Sequence, residues 1–143
     1  MSTEIFYPMY CMLLLTVAVF LFTTLLRVKE IYIDKSSQGE DYRHALFPEG
    51  SMILRNAQKN HINLFEYPIF FYAVCIIIFI TGNVDAYFVT LAYWFFYLRL
   101  AHSVYHIFFN HLVVAGGFPV RALIFVPALL TLIWMWIRLI GML

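Results

Sequence analysis

The stretch NLFEYPIFFYAVCIIIFITGNVDAYFVTLAYWFFYLRLAHSVYHIFFN, residues 63–110, decides the fold. It holds two long apolar runs separated by a short polar turn, TGNVD at 81–85. The first run is uncharged over 67–84, between Glu66 and Asp85. The second begins at Ala86, reaches about Phe109, and is interrupted by Arg99, His102 and His106. A helix needs roughly 20 apolar residues to cross the hydrocarbon of a bilayer, and both runs are of that order. Neither shows the two-residue alternation of an outer-membrane barrel strand.

Outward from this stretch lie two more runs of the same kind. Residues 5–26 are uncharged between Glu4 and Arg27, and residues 118–140 carry only Arg121 near the start and Arg138 near the end. The expected fold is an all-α membrane protein: a four-transmembrane-helix bundle in one domain over 1–143. Its helices are expected at about 5–27, 63–82, 86–109 and 118–140, with a loop over 28–62. Within that loop, 34–51 read as a polar connector and 52–66 as a helix extending below helix two, with Ser51 as its cap. Pro127 inside helix four is of the kind that membrane helices tolerate.

Composition agrees. Of 143 residues, 64% are hydrophobic and 12% charged, against about 25% charged in an ordinary soluble domain. A net charge of +1 gives no reason to expect nucleic acid as a partner. Cys11 and Cys75 both sit inside apolar runs, which points to packing rather than a disulfide framework or a metal site. The first run has no positive segment before it and is followed by Arg27 and Lys29, so it reads as a retained helix rather than a cleaved leader.

Lysine and arginine counts set the expected orientation. The segment between helices one and two holds Arg27, Lys29, Lys35, Arg43, Arg55 and Lys59, whereas the amino-terminal tail and the 82–85 turn hold none. The long loop is therefore expected to face the cytoplasm, with both termini outside it.

Ionisable groups at membrane depth normally face the protein interior or a wet cavity. Arg99, His102, His106 and Asn110 are spaced 3, 4 and 4 apart, and Asn56, Asn60, Asn63 and Glu66 are spaced 4, 3 and 3 apart. Each set lies on one helix face. Two polar stripes in the cytoplasmic half of a bundle imply a polar pocket, with Glu66 and Arg99 as its natural ion pair. Three readings fit this pattern: a ligand site, interhelical hydrogen-bond glue, or a proton or ion pathway. His102 and His106 have metal-ligand spacing, but no third ligand is evident, so no metal is expected. Arg121 follows Pro119, which suits the first helical position. It then falls in the first turn of helix four, where free N–H groups and the helix dipole favour an anion. A snorkelling interfacial arginine is the other reading of Arg121.

These residues resemble a known family. Asn63-Leu64-Phe65-Glu66-Tyr67-Pro68, with Arg99-Leu100-Ala101-His102-Ser103-Val104-Tyr105-His106, resembles the signatures of the MAPEG superfamily, the membrane-associated proteins in eicosanoid and glutathione metabolism. Arg27-Val28-Lys29 looks like the basic end of that family's helix one, and Phe118-Pro119-Val120-Arg121 like the start of its helix four. The small bacterial members look most similar. The resemblance implies a homotrimer in a bacterial inner membrane, with glutathione as co-substrate at subunit interfaces. Arg27, Asn63, Glu66, Arg99, His102 and His106 would hold the tripeptide. Arg121 would be the catalytic group, stabilising a thiolate that attacks a lipophilic small molecule arriving from the bilayer. Lys59 stands where the animal enzymes usually carry Arg, and His106 where many members carry Tyr. The segment from His106 to Arg121 is several residues longer than in the animal enzymes. The family also contains a member that presents lipid without catalysis. A non-enzymatic lipid-binding protein, or an accessory subunit of a larger membrane complex, is therefore the alternative function.

Overall fold

A computed structural model describes residues 3–35, 50–110, 113–114 and 118–143. Helix α1 spans Phe6–Val28 and continues into a π-helical turn at Lys29–Ile33. Helix α2 spans Met52–Glu66, α3 spans Pro68–Ile80, α4 spans Ala86–Phe108 and α5 spans Val120–Met142. A two-residue antiparallel ladder, β1 (Val113–Val114) with β2 (Phe118–Pro119), lies between α4 and α5. The expected polar connector over 34–51 falls largely outside the described residues.

Among the described residues, three segments are long and apolar enough to cross a membrane: Phe6–Ile33, Met52–Ile80 and Val120–Met142. The chain is a helical integral membrane protein, the two-residue ladder apart. Helix α4 has 23 residues, but Arg99, His102 and His106 and its many Tyr and Trp residues dilute its hydropathy. Threonines inside the spans keep their hydroxyls satisfied locally, as hydrocarbon demands. Thr16, Thr23 and Thr24 each donate to the carbonyl four residues back, at 3.0, 2.8 and 2.9 Å.

Within the expected loop over 28–62, helix is present over Met52–Glu66, as expected of 52–66, and helix one runs on through a π-helical turn to Ile33. Helix α2 buries Asn56, Gln58 and Asn60 along with Leu54, Ala57 and Leu64, so its buried face is mixed polar and apolar. Ser51 caps it, its hydroxyl accepting from Leu54 N–H at 3.3 Å. Buried Glu30 accepts from Ser51 N–H at 3.1 and 3.2 Å and ties the end of α1 to the start of α2. Pro68 takes the first position of α3, so α2 and α3 form one long broken helix.

The interior is apolar and aromatic. Phe71 and Phe95 stack with centroids 4.6 Å apart, within a core that includes Met12, Ile78, Phe88, Ala92, Met135 and Leu139. Helix α4 sits centrally, touching α1, α2 and α5. At the end of the bundle away from α2, Asp85 does two jobs. Its Oδ1 accepts from Phe88 N–H at 2.7 Å, capping α4, and its other oxygen pairs with Arg138 of α5. Arg138 also lies 4.8 Å over the Tyr87 ring, and Trp134 donates to the Tyr87 hydroxyl at 3.1 Å. Gly82, at φ 72°, makes the preceding turn possible, because only glycine adopts that conformation without strain.

The double role of Asp85 gives a test. Asp85→Ala removes a helix cap and one half of a partly exposed ion pair, a loss of about 1–2 kcal/mol. Asp85→Asn keeps the cap acceptor and is expected to lose about half of that. Thermal unfolding in detergent reads both. Wild-type melting in both variants would show that this end of the bundle does not depend on the clasp.

Candidate functional site

The polar stripes of α2 and α4 meet. Arg99 of α4 donates from Nη2 to the backbone carbonyl of Asn63 in α2 at 2.6 Å. About two turns along, Asn56 of α2 donates from Nδ2 to the Ile107 carbonyl of α4 at 3.4 Å. These two contacts fix an antiparallel register that sets Asn60 opposite Ser103, both of them buried. A backbone carbonyl has two lone pairs, so Asn63 can accept from Arg99 as well as within its own helix.

A cavity of about 460 Å³ opens beside this seam, lined by Lys59, Ile62, Asn63, Glu66, Tyr67, His102, His106, Arg121, Ala122 and Phe125. Its volume lies within the roughly 300–1,000 Å³ of small-molecule sites. Arg99 lies beneath it, only 1% exposed, with its guanidinium 5.6 Å from the Phe125 ring centre. The Arg99 Nε and Nη1 atoms, His102 Nε2 and His106 Nδ1 are buried without a partner among the described residues.

The entry of α5 is held by the two histidines and by Asn110. His102 Nδ1 lies 3.3 Å from the Arg121 carbonyl oxygen. A carbonyl only accepts, so Nδ1 carries the proton. Arg121 Nη1 lies 3.5 Å from His106 Nε2 and donates to Asn110 Oδ1 at 3.3 Å. A guanidinium only donates, so His106 Nε2 is the acceptor and the ring is neutral. Arg121 is the second residue of α5, in the first turn where free N–H groups add to its positive field.

Five of the sequence-derived candidates, Asn63, Glu66, His102, His106 and Arg121, therefore line one cavity, and Arg99 supports it from below. Two expectations change. Glu66 and Arg99 do not form the anticipated ion pair: Arg99 binds the Asn63 carbonyl instead, and Glu66 lies exposed at the cavity wall. The Asn63 carbonyl lies 2.6 Å from the buried guanidinium, whereas no carboxylate reaches it within 4 Å among the described residues. Arg27 is not at this cavity. It lines a separate depression of about 270 Å³ with Thr23, Thr24, Gln58 and His61, between α1 and α2.

The cavity also contains residues to which the spacing gave no role. Tyr67 follows Glu66 directly, and Phe125 lies one turn beyond Arg121 on the same face of α5, the i, i+4 neighbour that helical geometry makes available. Asn110 was visible on the α4 stripe, but its contact with Arg121 spans two helices and has no signature in the sequence. Cations from α2 and α5, a carboxylate from α2 and the rings of Tyr67 and Phe125 line the one cavity, a set that suits a polar ligand with both signs of charge.

The model of the MAPEG family matches residues 5–141, nearly the whole chain. No curated protein and no solved structure matches the chain.

Arg99 is a buried cation with no carboxylate within 4 Å among the described residues, Glu66 acting on it only at longer range, and that arrangement costs stability. Arg99→Met, similar in length and uncharged, is expected to leave ligand-free thermal stability within about 1 kcal/mol of wild type or to raise it. A drop of several kcal/mol in a detergent melt would instead mark Arg99 as half of a structural ion pair.

Proposed function

The chain belongs to the MAPEG family, and from that premise we propose that it binds glutathione in the cavity beside Arg121. There it joins the tripeptide's sulfur to lipophilic electrophiles or uses it to reduce lipophilic hydroperoxides. The observation that carries this reading is the charge pattern of the cavity: Arg121 and Lys59 line it together with Glu66, above the buried Arg99. Glutathione carries two carboxylates and an ammonium, so it needs several cations and at least one carboxylate from its host. Asn63, Glu66, Arg99, His102 and His106 hold the peptide, and Arg121 faces its sulfur.

The chemistry follows from that placement. A guanidinium at the start of a helix favours the thiolate over the thiol, and the thiolate is the nucleophile. In conjugation a carbon–sulfur bond forms while the electrophile's leaving group departs with the bonding pair, or an epoxide oxygen opens and takes a proton. In peroxide reduction the sulfur attacks the terminal oxygen, the O–O bond breaks and an alcohol leaves. The resulting sulfenic acid then condenses with a second glutathione to give the disulfide and water.

Two features favour an assembly of several copies, which we propose to be a homotrimer of protomers that each cross the membrane four times, with α4 as the additional crossing. Arg27 lies outside the cavity of its own protomer and joins such a site only from a neighbouring copy. Glu66 is exposed at the cavity wall in a single protomer, and a carboxylate at membrane depth is costly unless protein or a wet cavity covers it. By the distribution of Lys and Arg, the long loop faces the cytoplasm of a bacterial inner membrane and both termini lie outside. A second reading, a lipid-binding or accessory subunit without catalysis, is favoured by one observation. An apolar groove of about 360 Å³ between α3 and α5 adjoins the cavity through Tyr67.

Glutathione titration of the purified protein in nanodiscs separates the two readings. Saturable binding at millimolar glutathione with thiolate absorbance in the ultraviolet is expected. Glu66→Ala and Arg99→Ala should each weaken binding by roughly tenfold or more, the value of a charge-assisted hydrogen bond. Arg121→Ala should lower turnover by roughly 100-fold with much less effect on binding. Absence of binding together with a copurifying stoichiometric partner would decide for the accessory subunit.

A further inference from the structure

We infer that Asn56 and Asn110 are positioning residues for Arg121: a directional amide relay from α2, through the end of α4, anchors the guanidinium of α5 by one nitrogen and leaves its remaining donors to a ligand. The relay rests on three contacts. Asn56 Nδ2 donates to the Ile107 carbonyl at 3.4 Å, Asn110 Nδ2 donates to Asn56 Oδ1 at 3.0 Å, and Arg121 Nη1 donates to Asn110 Oδ1 at 3.3 Å.

Each link admits only one direction. The Ile107 carbonyl can only accept, so Asn56 must turn its amide nitrogen to it and its oxygen to Asn110. Asn110 must then present its own nitrogen to that oxygen, which leaves Asn110 Oδ1 facing α5. Reversing either amide would set oxygen against oxygen. His106 Nε2 lies 3.5 Å from the same Arg121 nitrogen, so two acceptors converge on Nη1. Only a donor satisfies them. Lysine would fill the place as a single point charge, but arginine has a planar fork whose remaining N–H groups stay directed once one nitrogen is fixed. A side chain with four rotatable bonds is thereby held in one pose without a carboxylate, and its full positive charge is kept for an anionic partner.

The functional consequence rests on the glutathione reading of the site, but the relay itself does not, and the test separates them. Asn110→Leu keeps the side-chain shape and removes both hydrogen bonds. In the glutathione assay it is expected to lower kcat by roughly tenfold, as for a lost hydrogen bond to a charged group. KM for glutathione should stay within about threefold, and the thiolate absorbance of bound glutathione should fall. Asn56→Leu should act in the same direction and more weakly. The Asn56→Leu/Asn110→Leu double variant should be no worse than Asn110→Leu alone, because both break one chain. Asn110→Gln, which keeps both hydrogen-bonding groups, is expected to recover part of the loss. In parallel, melting temperatures of Asn110→Leu, Arg121→Leu and their combination are measured without glutathione. Shifts that fail to add support the relay even if the wild-type protein binds no glutathione, in which case the functional reading alone falls. Additive melting shifts, or wild-type kcat and thiolate absorbance in Asn110→Leu, overturn the inference.

Discussion

A guanidinium buried at membrane depth has to be given a partner, and here the partner is the backbone carbonyl of Asn63 near the end of α2. Placing a charged side chain at the centre of a membrane helix costs roughly 2.5–3.5 kcal/mol even on permissive insertion scales. Arg99 meets that cost by donating to Asn63 at the break before Pro68. The contact fixes where α2 crosses α4 and sets the register of the polar seam. The cavity lies where it does because the seam does.

From that seam the rest of the site follows through short, one-directional contacts. His102 holds the backbone of α5 by the Arg121 carbonyl, while His106 and Asn110 hold its side chain. Three helices thus meet at one arginine. None of these contacts involves a carboxylate, so the cations of the site are oriented without being neutralised. Glu66, which might have cancelled Arg99, instead stands at the cavity wall. A purely structural polar cluster gains most when its charges are paired. This one keeps its opposite charges apart, which is the pattern expected of a host for a zwitterionic guest and the physical basis for the proposed function.

The far end of the bundle shows the contrasting design. Asp85 and Arg138 are paired directly, Tyr87 and Trp134 cover them, and Asp85 also caps α4. There the charges are used up in holding the turn between α3 and α4 against α5. The two ends differ in their pairing: at the α2 end Arg99 keeps buried donors and His102 a buried acceptor without a partner among the described residues, beside an open cavity.

The sequence alone determined the membrane-embedded helical class, the approximate positions of the apolar spans and which polar residues share a helix face. Those properties follow from local composition and from the 3.6-residue period, which places Arg99, His102 and His106 on one face whatever they touch. Family membership was legible for the same reason, in short motifs such as Asn63 to Pro68. The tertiary structure decided which partner each polar group takes. The distance from Arg99 to a carbonyl rather than to Glu66, the separation of Arg27 from the cavity, and the link from Asn56 through Asn110 to Arg121 all depend on how helices cross. A crossing is set by side chains distant in sequence, so no single helix encodes it. The helix over 52–66 was legible from its Ser51 cap, but that its polar face meets the polar face of α4 was decided only by the crossing.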